Sequence, residues 1–405
     1  MTSAPSLGRF AWFVVMLLWP VALLNYMDRQ MMAAMKFSIM DDIPSIGNEA
    51  NWGLLPAVFK WVYAGLSPFG GYLADRFNKR AVIITSLVVW SSVTWATGHA
   101  QTFDQLIWSR ALMGISEACY MPAALALIAE FHSGSTRSRA IGFHQMAIYA
   151  GVMIGGFSGY AADHPSLGWR WTFDAAGIAG VLYAVPLLFL LKNPPSSSGA
   201  AKPSGRTAFT ELFGNKFFIL LVLYFTLPAL AGWVVRDWMP AILKDQFGIG
   251  QGHAGVSATL YVNLTALFAV ILGGVLADRW MKRSIRGRIY VSAIGVSLII
   301  PALFGVGNAP TLSMAIAFLV VYGLGWGFFD CNNMPILCQI VRPELRATGY
   351  GIMNLISISC GGFADWGFGV MRDRNIPLNL IFTSFAAVCA ISVALVLMIR
   401  PKTAS

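Results

Sequence analysis

Charged residues lie inside the apolar stretches of this sequence, and four of them stand out. Asp28 and Arg29 are neighbours in the first stretch, and Arg110 and Glu117 lie in the fourth. Charged groups in the hydrocarbon core of a membrane cost free energy, and those that are retained usually serve a substrate, ion or proton. These residues are therefore the first candidates for chemistry; the alternative is that they form structural ion pairs only.

The two residue types are suited to different tasks. An arginine presents a planar fork of donors that fits a carboxylate. A carboxyl group carries a proton when its surroundings favour its charged and neutral forms at different steps. Arg110, Gly114 and Glu117 share one face of a helix, since they stand at positions i, i+4 and i+7. We therefore expect Glu117 to change its protonation as substrate and helices move.

A sequence motif that occurs twice indicates that the spans holding these residues belong to two related halves. Residues 70–80 read GGYLADRFNKR and residues 273–283 read GGVLADRWMKR, each after an apolar run. A second match relates RAIGF, from Arg139, to RATGY, from Arg346, at the same predicted position of each half. Internal repeats of this kind predict two related halves of one membrane protein.

The composition agrees with a membrane protein. Of the 405 residues, 57% are hydrophobic and 11% are charged, whereas a soluble protein carries about 25% charged residues. About twelve apolar segments are long enough to cross a ~30 Å hydrocarbon core as helices. They lie near residues 10–35, 52–74, 81–99, 104–131, 140–162, 171–191, 215–243, 252–277, 287–307, 311–340, 346–370 and 376–399.

The spans fall into two predicted six-helix bundles, at residues 1–192 and 214–405. A Pro- and Ser-rich cytoplasmic linker at 193–213 joins them. Most of the 28 lysines and arginines lie in loops that are inside when both termini are cytoplasmic. We predict a multi-pass protein of the cell inner (plasma) membrane. The net charge of +10 then belongs to cytoplasmic loops and indicates no nucleic-acid partner.

These motifs resemble those of a transporter family. The repeated G-x-L-A-D-R loop is similar to the signature loop of the major facilitator superfamily. N-Y-x-D-R in the first span, R-x-x-x-G-x-x-E-A in the fourth and G-W-R at 168–170 resemble the anion:cation symporters, which include sialin and the galactonate, glucarate and hexuronate transporters. The resemblance covers essentially the whole chain. It implies an all-α major facilitator fold of two six-helix halves that works by alternating access.

The resemblance also implies roles for single residues. Arg29 engages a substrate carboxylate, and Tyr63 faces the substrate. Asp28 and Glu117 take part in proton coupling, while Arg110 orients Glu117 and helps electrostatically. The repeated loops act as conformational gates through six charged residues: Asp75, Arg76, Arg80, Asp278, Arg279 and Arg283. The implied cargo is a small carboxylated solute, such as a sugar acid, moved together with protons.

Other polar residues inside the spans complete the candidate site. Lys60 is either a second anion contact or a side chain that snorkels toward an interface. Tyr149 is a further candidate contact in the fifth span. Trp326, Asn332 and Asn333 in the tenth span form either a surface for sugar hydroxyls or interhelical contacts. We expect His144, by contrast, to pack rather than relay protons.

The sequence lacks the signatures of an enzyme. It contains no P-loop, no G-x-S-x-G and no His/carboxylate metal spacing, so we predict gradient-driven transport without cofactor or metal. The five cysteines show no C-x-x-C spacing and predict no disulfide. We expect a monomer in the lipid bilayer. Two rivals remain: a spinster-like lysolipid transporter, with a similar D-R pair and fourth-span Glu, and a non-transporting receptor that senses a solute.

Overall fold

A computed structural model describes residues 4–132, 136–193 and 205–401, apart from the side chains of residues 4–7, 71–75, 138 and 205–208. The described backbone is built from helices and contains no strand. This follows from the apolar composition, because backbone polar groups in a membrane must be satisfied within the segment itself.

The helices of the first half follow the predicted spans. Within the described residues they are α1 (Ala4–Ala34), α2 (Lys36–Asp42), α3 (Glu49–Arg76), α4 (Lys79–Gly98), α5 (Phe103–Phe131), α6 (Arg137–Gly156), α7 (Ser158–Asp163) and α8 (Gly168–Leu190). The short α2 links the first span to the second, and α7 continues the fifth span after a break at Phe157.

The second half has the same plan. Its described helices are α9 (Gly205–Gly214), α10 (Lys216–Phe247), α11 (Gln251–Met281), α12 (Gly287–Asn308), α13 (Leu312–Asp330), α14 (Asn333–Ile340), α15 (Arg346–Asp373) and α16 (Leu378–Met398). Ten segments of the described chain are long and apolar enough to cross a membrane. The 28-residue helices α3 and α15 also suffice by length, at about 1.5 Å per residue.

Packing divides the chain into two compact units. The N-unit comprises Met1–Gly199 with Pro240–Val256, and the C-unit comprises Ala200–Met239 with Ser257–Ser405. In the N-unit, close helix pairs include α1 with α6, α3 with α5, and α4 with both α5 and α8. In the C-unit, α12 packs against α13 and α16.

Polar contacts explain why the start of α11 packs within the N-unit. The Gln251 side chain donates to Ser38 Oγ at 2.5 Å and to Asp163 Oδ1 at 3.2 Å. The Gly252 N–H donates to Asp163 Oδ2 at 2.9 Å. The first N–H groups of a helix have no partner within it and favour an anion. Asp163 therefore satisfies a free donor at the beginning of α11.

Glycines bring α6 close to α1 beside the turn that carries Asp28 and Arg29. A Cβ atom added to Gly151 would lie 2.3 Å from the Leu23 carbonyl oxygen, and one added to Gly155 would lie 2.8 Å from that of Met27. Small residues allow such backbone approach in membrane bundles. The position of this turn of α1 is therefore set by α6.

The two halves repeat their loop contacts in a register that differs from the predicted one. Arg137 and Arg346 each begin a helix. Arg137 donates to the backbone carbonyls of His132 and Ala129. Arg346 donates to the carbonyls at the same two distances before it, those of Val341 and Cys338. The equivalent of Arg346 is thus Arg137, and the predicted match with Arg139 is wrong by two positions, because the start of the helix and not the R-A-x-G phrase sets the register.

A second contact supports the corrected register. Thr102 and Thr311 cap α5 and α13, where each hydroxyl accepts a backbone N–H at 3.3 Å. The two threonines are as far apart in the sequence as Arg137 and Arg346. The same separation makes Trp326 the counterpart of Glu117.

Candidate functional site

The centre of the candidate site is a buried ion pair between α1 and α5. Arg29 Nη2 lies 2.5 Å from Glu117 Oε2, and Arg29 Nε donates to the same oxygen at 2.7 Å. The Glu117 side chain is fully buried and that of Arg29 is 12% exposed. Arg29 also donates to Asn25 Oδ1 at 3.2 Å. Removing one partner of a buried pair leaves an uncompensated charge, so each residue holds the other in place.

The observed partner of Glu117 is Arg29, whereas the family resemblance implied that Arg110 orients it. Arg110 donates instead to Thr97 Oγ1 on α4, at 3.2 Å. Residues seven positions apart in a helix are separated by about 10 Å along its axis, while Arg29 reaches Glu117 from a neighbouring helix. Arg110 is buried and still interacts electrostatically with Glu117 and Asp28.

Three aromatic rings surround the Arg29 guanidinium. Its Cζ atom lies 4.6 Å from the ring centroids of Tyr26 and Phe59 and 5.1 Å from that of Tyr63. A guanidinium near aromatic faces is attracted by the ring quadrupoles, more strongly where water is excluded. We call Arg29, Glu117 and these three rings the arginine cage. Tyr63 was predicted to face the substrate, which stays a prediction, whereas Tyr26 and Phe59 were not singled out as site residues.

Gly114 explains how α3 and α5 come close enough to form the cage. A Cβ atom at Gly114 would lie 2.9 Å from the Phe59 carbonyl oxygen and 3.2 Å from the Tyr63 nitrogen. The glycine of the R-x-x-x-G-x-x-E motif is therefore a packing residue that places both rings beside Glu117.

Gly114→Val is expected to destabilise the protein, because added methyl groups must push α3 away from α5. Overpacking of this kind costs about 1–3 kcal/mol, which thermal unfolding of the purified protein in detergent would register as a lower midpoint. Gly65→Val on α3 is the matched control, since a Cβ there meets nothing within 4 Å. Equal unfolding midpoints for the two variants would contradict the role of Gly114.

Asp28 contacts α4 and not the cage. The Thr94 hydroxyl donates to Asp28 Oδ2 at 2.8 Å, and both residues are buried. The other carboxylate oxygen, Oδ1, is buried and has no hydrogen-bond partner among the described residues. Helix α4 thus contributes two threonine hydroxyls to this region: that of Thr94 donates to Asp28, and that of Thr97 accepts from Arg110. Thr94 and Thr97 were not among the predicted site residues; their spacing of three on one face of an apolar helix is the signal that could have found them.

The remaining predicted residues of the N-unit occupy different surroundings. Lys60 is 2% exposed on α3, which argues against the snorkelling alternative; its contact with an anion stays a prediction. Tyr149 is half-buried on α6, and its role is likewise a prediction. His144 is buried with Nε2 3.0 Å from the Tyr120 hydroxyl, an arrangement that fits the expected packing role.

The predicted residues of the C-unit lie near the break between α13 and α14. The Trp326 ring stacks on Tyr322 with centroids 5.9 Å apart. Asn332 donates to the Phe328 carbonyl at 3.1 Å, a bond within its own turn. The Asn333 side chain is buried, and its polar atoms have no hydrogen-bond partner among the described residues. A substrate surface and an interhelical contact therefore both stay open as predictions.

The repeated loops attach to the last helix of each half. Arg80 donates to the Leu188 carbonyl near the end of α8, and Arg286 donates to the Leu397 carbonyl near the end of α16. Arg286 therefore occupies the place that the sequence repeat assigned to Arg283. The difference arises because the second loop is longer: α12 begins at Gly287, four positions beyond the end of the repeat.

Other predicted gate residues lie on the surface of these loops. Arg76, Arg279 and Arg283 are exposed. Asp278 accepts from Arg288 at 2.8 Å, and the Asp75 side chain lies outside the described residues. An exposed ion pair contributes little to stability, about 0–1 kcal/mol, so the Asp278–Arg288 pair alone does not hold this loop in place.

The G-W-R segment at 168–170 has a structural role in the N-unit. Gly168 has a φ of 72°, which glycine adopts without strain. Trp169 Nε1 and Arg170 Nε both donate to Asp42 Oδ2, at 3.1 and 2.8 Å. Arg170 also donates to the carbonyls of Gly98 and Ala100 at 2.8 and 2.7 Å. These bonds tie α8 to α2 and to the end of α4, away from the arginine cage.

Comparison with known proteins identifies the family. The family model described as Major Facilitator Superfamily matches residues 18–364. The chain belongs to the major facilitator superfamily. It is therefore a multi-pass membrane transporter and not an enzyme, which confirms the predicted fold and class.

Relatives of this major facilitator protein include spinster proteins. Protein spinster of Drosophila melanogaster is 29% identical over 374 residues, which cover 88% of this chain and 61% of the fly protein. Protein spinster homolog 1 of Bos taurus is 30% identical over 398 residues, covering 91% of this chain and 74% of the bovine protein. The chain thus spans less than two thirds of the fly relative.

Solved structures agree with the fold. A crystal structure of a bacterial homologue of the human lysosomal transporter Spinster superposes with a TM-score of 0.81 at 20% identity, covering 95% of this chain and 96% of that one. A D-xylose-proton symporter superposes with a TM-score of 0.79 at 17% identity, covering 97% and 98%. At these identities the likeness establishes the major facilitator fold.

Proposed function

We propose that this major facilitator protein is a proton-coupled symporter of a small organic anion, working by alternating access. The observation that carries the proposal is the buried Arg29–Glu117 pair. A proton and an anion can each take one half of that pair, and this exchange provides coupling.

The coupling follows from charge balance. A proton bound by Glu117 neutralises the carboxylate and leaves Arg29 as a buried cation without its counter-ion. A substrate carboxylate can then occupy the guanidinium fork in place of Glu117. Since an unpaired buried charge is costly, binding of the proton favours binding of the anion. Loss of the proton restores the original pair and releases the substrate.

Arg110 and Asp28 have supporting roles in this scheme. Arg110 carries a second buried positive charge that acts on both carboxylates, so the group of Arg29, Arg110, Asp28 and Glu117 becomes positive overall when Glu117 binds a proton. Asp28 is a second candidate proton carrier, held by Thr94. The repeated loops are proposed as gates because they tie the ends of neighbouring spans together.

The first candidate cargo is a sugar acid such as a hexuronate, aldonate or sialic acid, in line with the motifs of the anion:cation symporters. A second candidate is a lysolipid with an anionic head group. Two observations favour it: the aromatic rings around Arg29 offer an apolar wall, and the relatives include spinster proteins. For either cargo we propose the cell inner membrane, cytoplasmic termini and a monomer.

Thermal shift followed by counterflow tests the proposal. A bound ligand stabilises the folded protein by about 2.7 kcal/mol at a concentration of 100 Kd. We expect glucuronate, gluconate or sialic acid to raise the unfolding midpoint and, as labelled tracers, to show counterflow in proteoliposomes and accumulation under an imposed pH gradient.

Other outcomes of these assays would favour the lysolipid transporter or the solute sensor. If only lysophospholipids stabilise the protein and show counterflow, the cargo is a lysolipid and not a sugar acid. Binding without counterflow would contradict transport and favour a solute sensor, and accumulation that ignores the pH gradient would contradict proton coupling. Asp104→Asn, at the start of α5 and far along that helix from Glu117, is a control for general effects of substitution.

A further inference from the structure

Thr94 on α4 makes two contacts with a single hydroxyl group. Its Oγ lies 2.8 Å from Asp28 Oδ2 and 3.0 Å from the carbonyl oxygen of Trp90, one turn earlier in α4. A hydroxyl carries one proton to donate and can also accept. At any moment Thr94 therefore donates to only one of these two oxygens.

The choice between the two acceptors depends on the proton of Asp28. When Asp28 is ionised, both its oxygens are acceptors, and the Thr94 hydroxyl donates to Oδ2. When Oδ2 is protonated, its O–H donates to Thr94 Oγ, and the Thr94 hydroxyl turns to the Trp90 carbonyl. Each form of the carboxyl group thus has a hydrogen-bond partner without movement of either helix.

We propose that Thr94 is a positioning residue for proton binding at Asp28, because its one hydroxyl serves both protonation states of that carboxyl group. The proposal rests on the proton-coupled function proposed above and adds a residue to it. It also fixes which oxygen binds the proton. Oδ1 is buried without a hydrogen-bond partner among the described residues, so a proton there would find no acceptor, whereas a proton on Oδ2 finds Thr94.

The charged surroundings of Asp28 are compatible with this role. Glu117 and Arg110 on α5 and Arg29 on α1 act on it electrostatically. Helix α6 faces this part of α1 with the glycines Gly151 and Gly155. His144 on α6 and Tyr183 on α8 are titratable groups that lie near Leu18 and Leu17 of α1. That part of α1 is about 15 Å along the helix axis from Asp28.

Tight packing keeps the two acceptors in place. Asp28 is 2% exposed and Thr94 is fully buried, so water does not compete readily for either carboxylate oxygen. A buried ionised carboxylate that loses a donor is strongly disfavoured. Removal of the hydroxyl is therefore expected to favour the protonated form of Asp28.

Infrared difference spectroscopy tests the proposal without a substrate. The purified protein in lipid is titrated with acid, and the C=O stretching band of protonated Asp28 is identified as the band missing from Asp28→Asn. In Thr94→Val we expect this band to persist to a pH about one unit higher than in the wild type, since a hydrogen bond to an ionised group changes its proton affinity about tenfold or more. The band should also move to higher frequency, because the acid has lost its acceptor.

Three variants make the result specific. Thr94→Ser keeps the hydroxyl and should titrate like the wild type, while Thr94→Ala should repeat the shift and serves if Thr94→Val does not fold. Ser86→Ala is the matched control, since Ser86 is buried on the same helix and donates to the Ser116 carbonyl at 2.7 Å; it should leave the band unchanged.

Two outcomes would overturn the proposal. One is an Asp28 band that keeps its midpoint and frequency in Thr94→Val and Thr94→Ala. The other is an equal shift in Ser86→Ala. A shifted Asp28 band in a protein that shows no proton-driven accumulation would support the role of Thr94 and reject the symport function. Failure of the Thr94 proposal can therefore be told apart from failure of the proposed function.

Discussion

Glu117→Gln is expected to exchange substrate across a membrane while failing to accumulate it. The glutamine resembles protonated Glu117 in shape and charge, so Arg29 is left free to bind the anion. Exchange needs no net proton movement and should persist. Accumulation under an inward proton gradient should fall to the level of empty liposomes, because residue 117 can no longer bind or release a proton.

The measurement is a pair of assays on the same proteoliposomes: counterflow of labelled substrate, and uptake driven by a pH gradient. Glu130→Gln is the matched control, since Glu130 lies on the same helix and pairs with Lys79 at 2.9 Å outside the cage. It should retain both activities. If Glu117→Gln still concentrates substrate in response to the gradient, the coupling group is another residue, and Asp28 is the next candidate.

Arg29→Ala and Arg29→Lys are both expected to weaken substrate binding, the alanine variant by at least about 100-fold. Loss of one partner of a buried hydrogen-bonded charge pair costs about 3–5 kcal/mol. Lysine keeps the positive charge but loses the fork, so it binds a carboxylate through fewer directed hydrogen bonds. Isothermal titration calorimetry or thermal shift with the cognate anion measures the effect.

Folding and binding must be separated in this experiment, since Arg29→Ala also leaves Glu117 as an unpaired buried anion. The double variant Arg29→Ala with Glu117→Gln removes that charge. We expect it to recover thermal stability relative to Arg29→Ala without recovering affinity. Normal binding of the anion by Arg29→Lys and Arg29→Ala alike would refute the assignment of Arg29 to the substrate carboxylate.

The sequence was sufficient to predict the architecture and the buried charges. The spans followed from apolar runs, because a membrane allows few structures besides helices. Asp28, Arg29, Arg110 and Glu117 stood out because charge inside such runs is rare. These features depend on composition along one segment, which a sequence displays directly.

The pairing of these groups was less accessible to prediction. Glu117 meets Arg29 from another helix, a contact that depends on how closely α1 and α5 pack. Thr94 stands out only through its spacing from Thr97, since a single threonine in a membrane helix commonly bonds to its own backbone. The match of Arg139 with Arg346 was wrong because it aligned a short R-A-x-G motif. The equivalent positions are instead the first residues of the two helices, Arg137 and Arg346, which are known only from the backbone.

The two halves of the chain share their helix caps and loop contacts but differ at the ion pair. The capping threonines Thr102 and Thr311 and the loop arginines Arg137 and Arg346 persist as copies, yet the counterpart of Glu117 is the indole of Trp326. An indole side chain has no proton to exchange near neutral pH. The contacts that cap the helices and attach the loops therefore occur in both halves, whereas the acid of the ion pair occurs only in the first. A substitution of Glu117 changes the charge of its half, and a substitution at the equivalent Trp326 changes only the shape and packing of the other.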